Sequence, residues 1–175
     1  MSDTPARRPG RPSAADRILD AATRRIARDG SAAVSVQDVA DEAGVSKALV
    51  HYHFHDKDAL LARLAGDLAH ALVARERAVF HDVEGAGAVD ALWAWLRDEL
   101  RAGELRVLLD LTSSPAPPVR EAARWAARQR RAAAKGTVEE LFALLGLVPR
   151  VPTTMLADVI VAFDVFWLAM LGLAE

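Results

Sequence analysis

The sequence predicts an all-α fold with a helix-turn-helix near its N-terminus. Three observations predict it. Apolar residues recur at helical spacing from residue 14 almost to residue 174. Two short capped segments meet at a single glycine within residues 35–54. No segment alternates polar and apolar residues over a strand's length, and none repeats another. With 175 residues, 52% of them hydrophobic, the chain can bury a sizeable core in one or two small domains. The absence of cysteine removes disulfides, thiolate metal sites and a cysteine nucleophile, and fits a reducing, cytoplasmic setting. A net charge of −2 argues against wholesale electrostatic capture of nucleic acid, so any such binding must rest on local patches.

One patch opens the chain. Arg7, Arg8 and Arg11 are interleaved with Pro5, Pro9, Gly10 and Pro12, so residues 1–12 cannot be helical and are expected to form a flexible basic arm. No apolar run follows, as a secretory signal would require. Ser13 with Asp16 reads as a capping box opening a helix over Ala14–Asp29, whose inner stripe is Ile18, Leu19, Ala22 and Ile26 and whose end is Gly30. Ser35 caps the next helix, Asp38 takes its third position, and Val36, Val39, Ala40 and Ala43 form one apolar face. Gly44 then sits where a left-handed turn costs least, and Ser46 supplies a fresh cap two residues later. Two helices so joined cross closely, with Ala40 as the small residue at the contact and Val45 and Val50 plugging the core.

Asp56 caps a fourth helix with the stripe Leu60, Leu61, Leu64, Leu68 and Leu72. Residues 82–87 break the pattern, and Val89, Leu92, Trp93, Leu96 and Leu100 restore it. Gly103 separates a short helix holding Leu105, Leu108, Leu109 and Leu111, which residues 113–118 stop. An arginine-rich helix is expected over 119–145, and Thr153 or Thr154 starts a last one. Residues 159–174 are apolar except for Asp164, but a bilayer span needs about 20 such residues and a central aspartate costs about 2.5–3 kcal/mol, so a buried helix is expected instead. A helix apolar on nearly all sides needs cover on all sides, either from its own core or from a second subunit. Val161, Val165, Leu168 and Gly172 form a seam suited to the latter, while Phe163, Trp167 and Met170 face elsewhere.

Residues 45–61, with Ser46, Lys47, Phe54, Asp56 and Lys57, together with the preceding helix and Gly30, resemble the DNA-binding domain of TetR-family transcriptional regulators. The resemblance covers roughly residues 13–64. It implies an all-α homodimer: an N-terminal three-helix helix-turn-helix DNA-binding domain, placed at 13–57, and a C-terminal helical ligand-binding and dimerisation domain over 58–175, paired through the last helices. The family most often carries threonine, a hydrophobic residue, tyrosine, any residue, histidine or tyrosine, then phenylalanine where this chain has Leu49, Val50, His51, Tyr52, His53 and Phe54. The aromatic is displaced, leaving His51 or Tyr52 to take the family tyrosine's backbone contact.

Position assigns the candidate chemistry. Residues at the start of the second motif helix project toward base edges, and helix starts at Ser35 and Ser46 offer backbone N–H groups to phosphates. Lys47 can meet a phosphate or guanine, while Ala48 and Leu49 suit a thymine methyl. Gln37 can reach adenine or a phosphate. Lys57 occupies a first helical turn, unfavourable for a cation unless a phosphate is its partner. The arm arginines can enter a minor groove. For each the alternative is a solvated surface residue. His51 and His55 at i, i+4 with Asp58 make a poor metal site, since no fourth ligand is near and the helix ends there. Asp38, Asp41 and Glu42 read as solvated, and no nucleophile elbow, phosphate-cradling glycine loop or dinucleotide fingerprint occurs. Neither catalysis, a metal nor a cofactor is expected.

For an effector, the candidates are Trp93, Leu96, Leu108, Asp110, Trp125, Phe163, Asp164 and Trp167, because aromatic cavities between helices suit apolar ligands; core packing is the alternative. Asp110 and Asp164 stand amid apolar neighbours and must be paired, protonated or exposed. If both line a cavity, the ligand carries a cation or hydroxyls; otherwise an arginine from 120–131 pairs with one. The whole reads as a ligand-responsive homodimeric regulator, a repressor, binding a double-stranded pseudo-palindromic operator and released by a largely apolar small molecule, with no membrane partner. The alternative is a helical protein-interaction module that has lost DNA binding.

Overall fold

The structure is a computed structural model that describes the backbone of residues 13–172 and the side chains of residues 13–162. These residues form eight helices: α1 (Ala14–Asp29), α2 (Val36–Ala43), α3 (Lys47–Phe54), α4 (Lys57–Arg77), α5 (Gly87–Ala102), α6 (Glu104–Thr112), α7 (Pro117–Leu144) and α8 (Thr153–Gly172). Among the described residues there is no strand, and no helix is long and apolar enough to cross a membrane.

The first three helices begin and end where their cap residues dictate. Ser13 Oγ accepts from the Asp16 N–H while Asp16 accepts from the Ser13 N–H, and Ser35 and Asp38 repeat the exchange at 3.2 and 2.8 Å. Gly44 adopts φ 64°, ψ 40°, and Val45 N–H reaches back to the Ala40 carbonyl, closing α2 as a left-handed cap. Ser46 then caps α3 through the Leu49 N–H.

The N-terminal core draws on more of the chain than these helices. Ile18, Ala22 and Ile26 of α1, Val39 and Ala40 of α2, and Val50 and Phe54 of α3 meet Leu60, Leu64 and Leu68 of α4. Val107 and Leu111 of α6 and Val119 and Ala123 of α7 complete the cluster. The expected boundary at 57/58 thus falls in the first turn of a continuous helix, and α6 closes the core beneath the helix-turn-helix. The second half of α4 lies along α7, which α8 covers in turn.

Three expectations about this second layer need correction. On α5 the residues turned inward are Ala88, Leu96 and Glu99, while Val89 and Trp93 are exposed. The cause is Glu99, buried because both its carboxylate oxygens accept from Arg75 of α4, at 2.5 and 2.9 Å. Hydrophobic periodicity cannot register a charge that faces in. On α6, Val107 is buried and Leu109 is exposed. Finally, α7 opens at Pro117 rather than after Pro118, since the first turn of a helix has no use for the missing N–H groups.

Candidate nucleic-acid interface

Beyond its cap, α2 is fixed by ion pairs to α1. Arg24 Nε lies 3.1 Å from Glu42, and Arg25 lies 3.7 Å from Asp38. Hydrogen bonds from the Ser35 side chain and backbone, with Arg25 and Lys57 nearby, hold the Asp38 carboxyl below the usual carboxylate range. The short helices therefore present a defined surface rather than a loose one.

On that surface, Lys47 is the first residue of α3, exposed together with Ala48, His51 and Tyr52; Leu49 is half-buried. Tyr52, 78% exposed, touches only the edge of His53 among the rings described. Its hydroxyl has no structural task in the chain's own fold that the described contacts reveal. A concavity of about 390 Å³ joins three elements: Ser35 and Gln37 from the start of α2, Lys47 and His51 from α3, and Lys57 from the start of α4, over Val34 and Val36. Five of the residues singled out from the sequence thus lie around one hollow. Gln37 is held there by its own helix, its amide donating to Asp41 at 2.7 Å. His51 is held too, its Nδ1 2.6 Å from the carbonyl of His55. His55 adopts φ 64°, a left-handed conformation costly for a side-chain-bearing residue, and ends α3 abruptly before Asp56 caps α4. The bond to the His55 carbonyl engages His51 Nδ1, and among the described residues no group of three metal-ligating side chains occurs. Arg7, Arg8 and Arg11 lie outside the described residues.

Residues 18–64 match the family model of bacterial regulatory proteins, tetR family. Over those residues the chain is similar to the DNA-binding domain of that family. It is 50% identical over 44 residues to the HTH-type transcriptional regulator BetI of Brucella anthropi, covering 25% of this chain and 23% of that protein. It is 39% identical over 75 residues to the HTH-type nicotine-responsive transcriptional repressor HdnoR of Paenarthrobacter nicotinovorans, covering 43% of this chain and 37% of that one. The matched stretch thus spans well under half the length of these curated relatives. The fold extends further. NemR of E. coli in its reduced form superposes with a TM-score of 0.77 over 93% of this chain and 88% of its own, at 16% identity. A regulator from Saccharomonospora viridis in complex with choline superposes at 0.64, over 86% and 81%, at 25% identity.

In the helical layer beyond the helix-turn-helix the expected effector residues are not gathered into one place. Trp93 and Leu96 line an open apolar groove of about 210 Å³ with Leu92, Trp95, Val159 and Ile160, between α5 and α8. Leu108 packs instead against the N-terminal core. Trp125 meets His70 of α4 edge to face, 5.2 Å between centroids. Asp110 is spoken for by the DNA-binding domain: its Oδ2 accepts from the Ser31 N–H at 2.8 Å, across the junction of α6 with the α1–α2 loop, rather than from an arginine of 120–131. The side chains of Phe163, Asp164 and Trp167, and the seam residues Val165 and Leu168, lie outside those described.

Sequence reasoning missed the buried charges behind the groove. Glu76, 1% exposed, accepts from Arg130 at 2.7 Å and from Thr137 at 3.0 Å, and the Arg130 guanidinium stands 5.1 Å from the Trp95 ring. Arg75, next along α4, is bonded to Glu99 and Glu104; those bonds, that to Glu99 first, push its pKa further upward. The available signal was Glu99, one helical turn beyond Leu96, interrupting an otherwise apolar stripe.

Proposed function

We propose that the protein is a ligand-responsive transcriptional regulator, a repressor, that binds a pseudo-palindromic operator as a homodimer. The observation that carries this is the hollow shared by Ser35, Gln37, Lys47, His51 and Lys57 beside the exposed start of α3. Its walls carry two lysines, and the lining side chains bonded to a carboxylate are Ser35, to Asp38, and Gln37, to Asp41, on a chain whose overall charge is negative. Duplex DNA offers what such a hollow lacks. Phosphates would sit against Lys47, Lys57 and the helix starts, while Ala48, Leu49 and Tyr52 meet base edges. Two copies would present α3 to successive major grooves about 34 Å apart.

The effector is a small, largely apolar molecule that enters the groove of Trp93, Trp95 and Leu96. The nicotine response of one relative and the choline bound to a structural neighbour support an organic effector, though neither names this protein's own. Binding there would change the separation of the two recognition helices and release the operator. Localisation follows the function: a cytoplasmic protein, where the DNA is.

The test begins with selection of an operator from random-sequence duplex DNA, followed by titration over a range of salt. Phosphate contacts make affinity fall steeply with added salt; a protein-interaction module lacking DNA binding would bind no duplex specifically. Lys47→Ala should weaken the selected operator by about 1–3 kcal/mol with an unchanged melting temperature, because the side chain is exposed and outside the core. Unaltered affinity would remove Lys47 from the interface. Sedimentation at micromolar concentration tests the homodimer, which a monomer there would refute.

A further inference from the structure

The bond from His51 to the His55 carbonyl fixes more than the turn. A carbonyl oxygen can only accept, so Nδ1 of His51 must carry the hydrogen in that 2.6 Å contact. One ring nitrogen, Nε2, is then left for anything that enters the hollow. In the neutral ring it is an acceptor and can offer a phosphate nothing. In the imidazolium it is a charged donor.

We propose that the hollow at His51 is a backbone-phosphate site that takes up a proton when it is filled, with His51 the residue that makes operator affinity depend on pH. This rests on the DNA-binding reading above. The titratable groups around the site are known element by element. Lys47 on α3 and Lys57 on α4 line the hollow with His51. His55 and Asp56 follow in the turn, and Asp56 is occupied in capping α4. From α2 come Asp38, already bonded by Ser35 and close to Arg25, and Asp41, which holds the Gln37 amide. No carboxylate among those lining the hollow is left to serve as an internal counter-ion for the imidazolium, because the lining contains none. An incoming phosphate supplies that negative charge and favours the protonated ring.

The sign follows from linkage. A group whose pKa is higher in the complex than in the free protein strengthens binding at low pH, and the gain is lost as pH rises through the pKa of the complex. Histidine is the side chain type that ordinarily changes charge between about pH 5 and 8. Affinity should therefore rise by up to about tenfold per half-site for each unit that the pH falls within that range.

The experiment measures affinity of the full-length protein for a duplex carrying its selected operator, by fluorescence anisotropy from pH 8 to pH 6 at fixed salt. The comparison is His51→Asn, which keeps an amide donor near the position of Nδ1 but cannot titrate. The wild type should gain affinity as pH falls, and the variant, with its melting temperature retained, should lose most of that dependence. Should the variant fail to fold, calorimetry of the wild type in buffers of different ionisation enthalpy reads the proton uptake directly. A flat wild-type profile, zero proton uptake or an unchanged slope in the variant overturns the proposal. So does affinity that rises with pH, which would mean a neutral Nε2 accepting from a base amino group. If no duplex is bound at any pH, the DNA-binding reading itself fails and takes this one with it; the other outcomes leave that reading standing.

Discussion

Gly44 decides whether two eight-residue helices can meet at the angle the motif needs. Its φ of 64° is left-handed, yet a Cβ built there would meet nothing within 4 Å. The barrier to substitution is therefore backbone conformation alone, not crowding. Gly44→Val should cost at least about 1–2 kcal/mol, more for its β-branch, lowering the melting temperature by several degrees. Gly44→Asn should lose clearly less, since asparagine tolerates this conformation. Equal melting of the glycine and valine proteins would show that the turn is not under the constraint described. His55, with φ 64° and no such licence, is the counterpart at the other end of α3, and His51 is what holds it.

At the scale of elements, α2 depends on its cap and α6 on its docking. Loss of the Ser35 hydroxyl removes a bond to the Asp38 N–H and one to its carboxylate, so Ser35→Ala should destabilise by about 1 kcal/mol near neutral pH. The Asp38 pKa is lowered from 3.8 in the folded protein, chiefly by Ser35. Its contribution is thus present above 3.8 and is lost as pH falls through the folded-state value. The difference between wild type and variant should accordingly shrink in acid. Thermal melts at pH 7 and at successive points below 3.8 would test this; a gap that widened in acid would contradict it. Helix α6 is tied to the DNA-binding domain by Val107 and Leu111 in its core and by Asp110 at the α1–α2 loop, so no movement of α6 can leave that domain undisturbed.

Across the whole molecule, the second layer is organised by charge as much as by apolar area. Glu76 and Arg130 are 1% and 5% exposed, and removing one partner would strand the other's charge away from water. Arg130→Met should cost about 3–5 kcal/mol, read as a lower urea midpoint. Replacing both residues by apolar ones of similar size should recover most of that loss. If the single variant were as stable as the wild type, the pair would not be the organising contact that its burial suggests. The same layer carries Trp95, set between this pair and the open groove, so a ligand in the groove would bear on the packing of α4 against α7.

Local chemistry was legible from residues alone. Ser13 with Asp16, Ser35 with Asp38, Gly44 and Ser46 act within three or four positions of themselves, so each helix boundary of the motif could be read without knowing what lay elsewhere. Leu60, Leu64, Leu68 and Leu72 fell inward because nothing charged interrupts their stripe. Lys47, His51 and Lys57 could be named as candidates from their helix positions, but only the folded chain brings them to one hollow with Gln37 and ties His51 to His55. Other features were beyond sequence for a single reason: they are bonds between residues far apart in the chain. Asp110 finds Ser31 across 79 positions, Glu76 finds Arg130 across 54, and Glu99 turns inward because Arg75 is there to receive it. A buried charge follows its partner rather than its neighbours, and the partner exists only once the helices have packed.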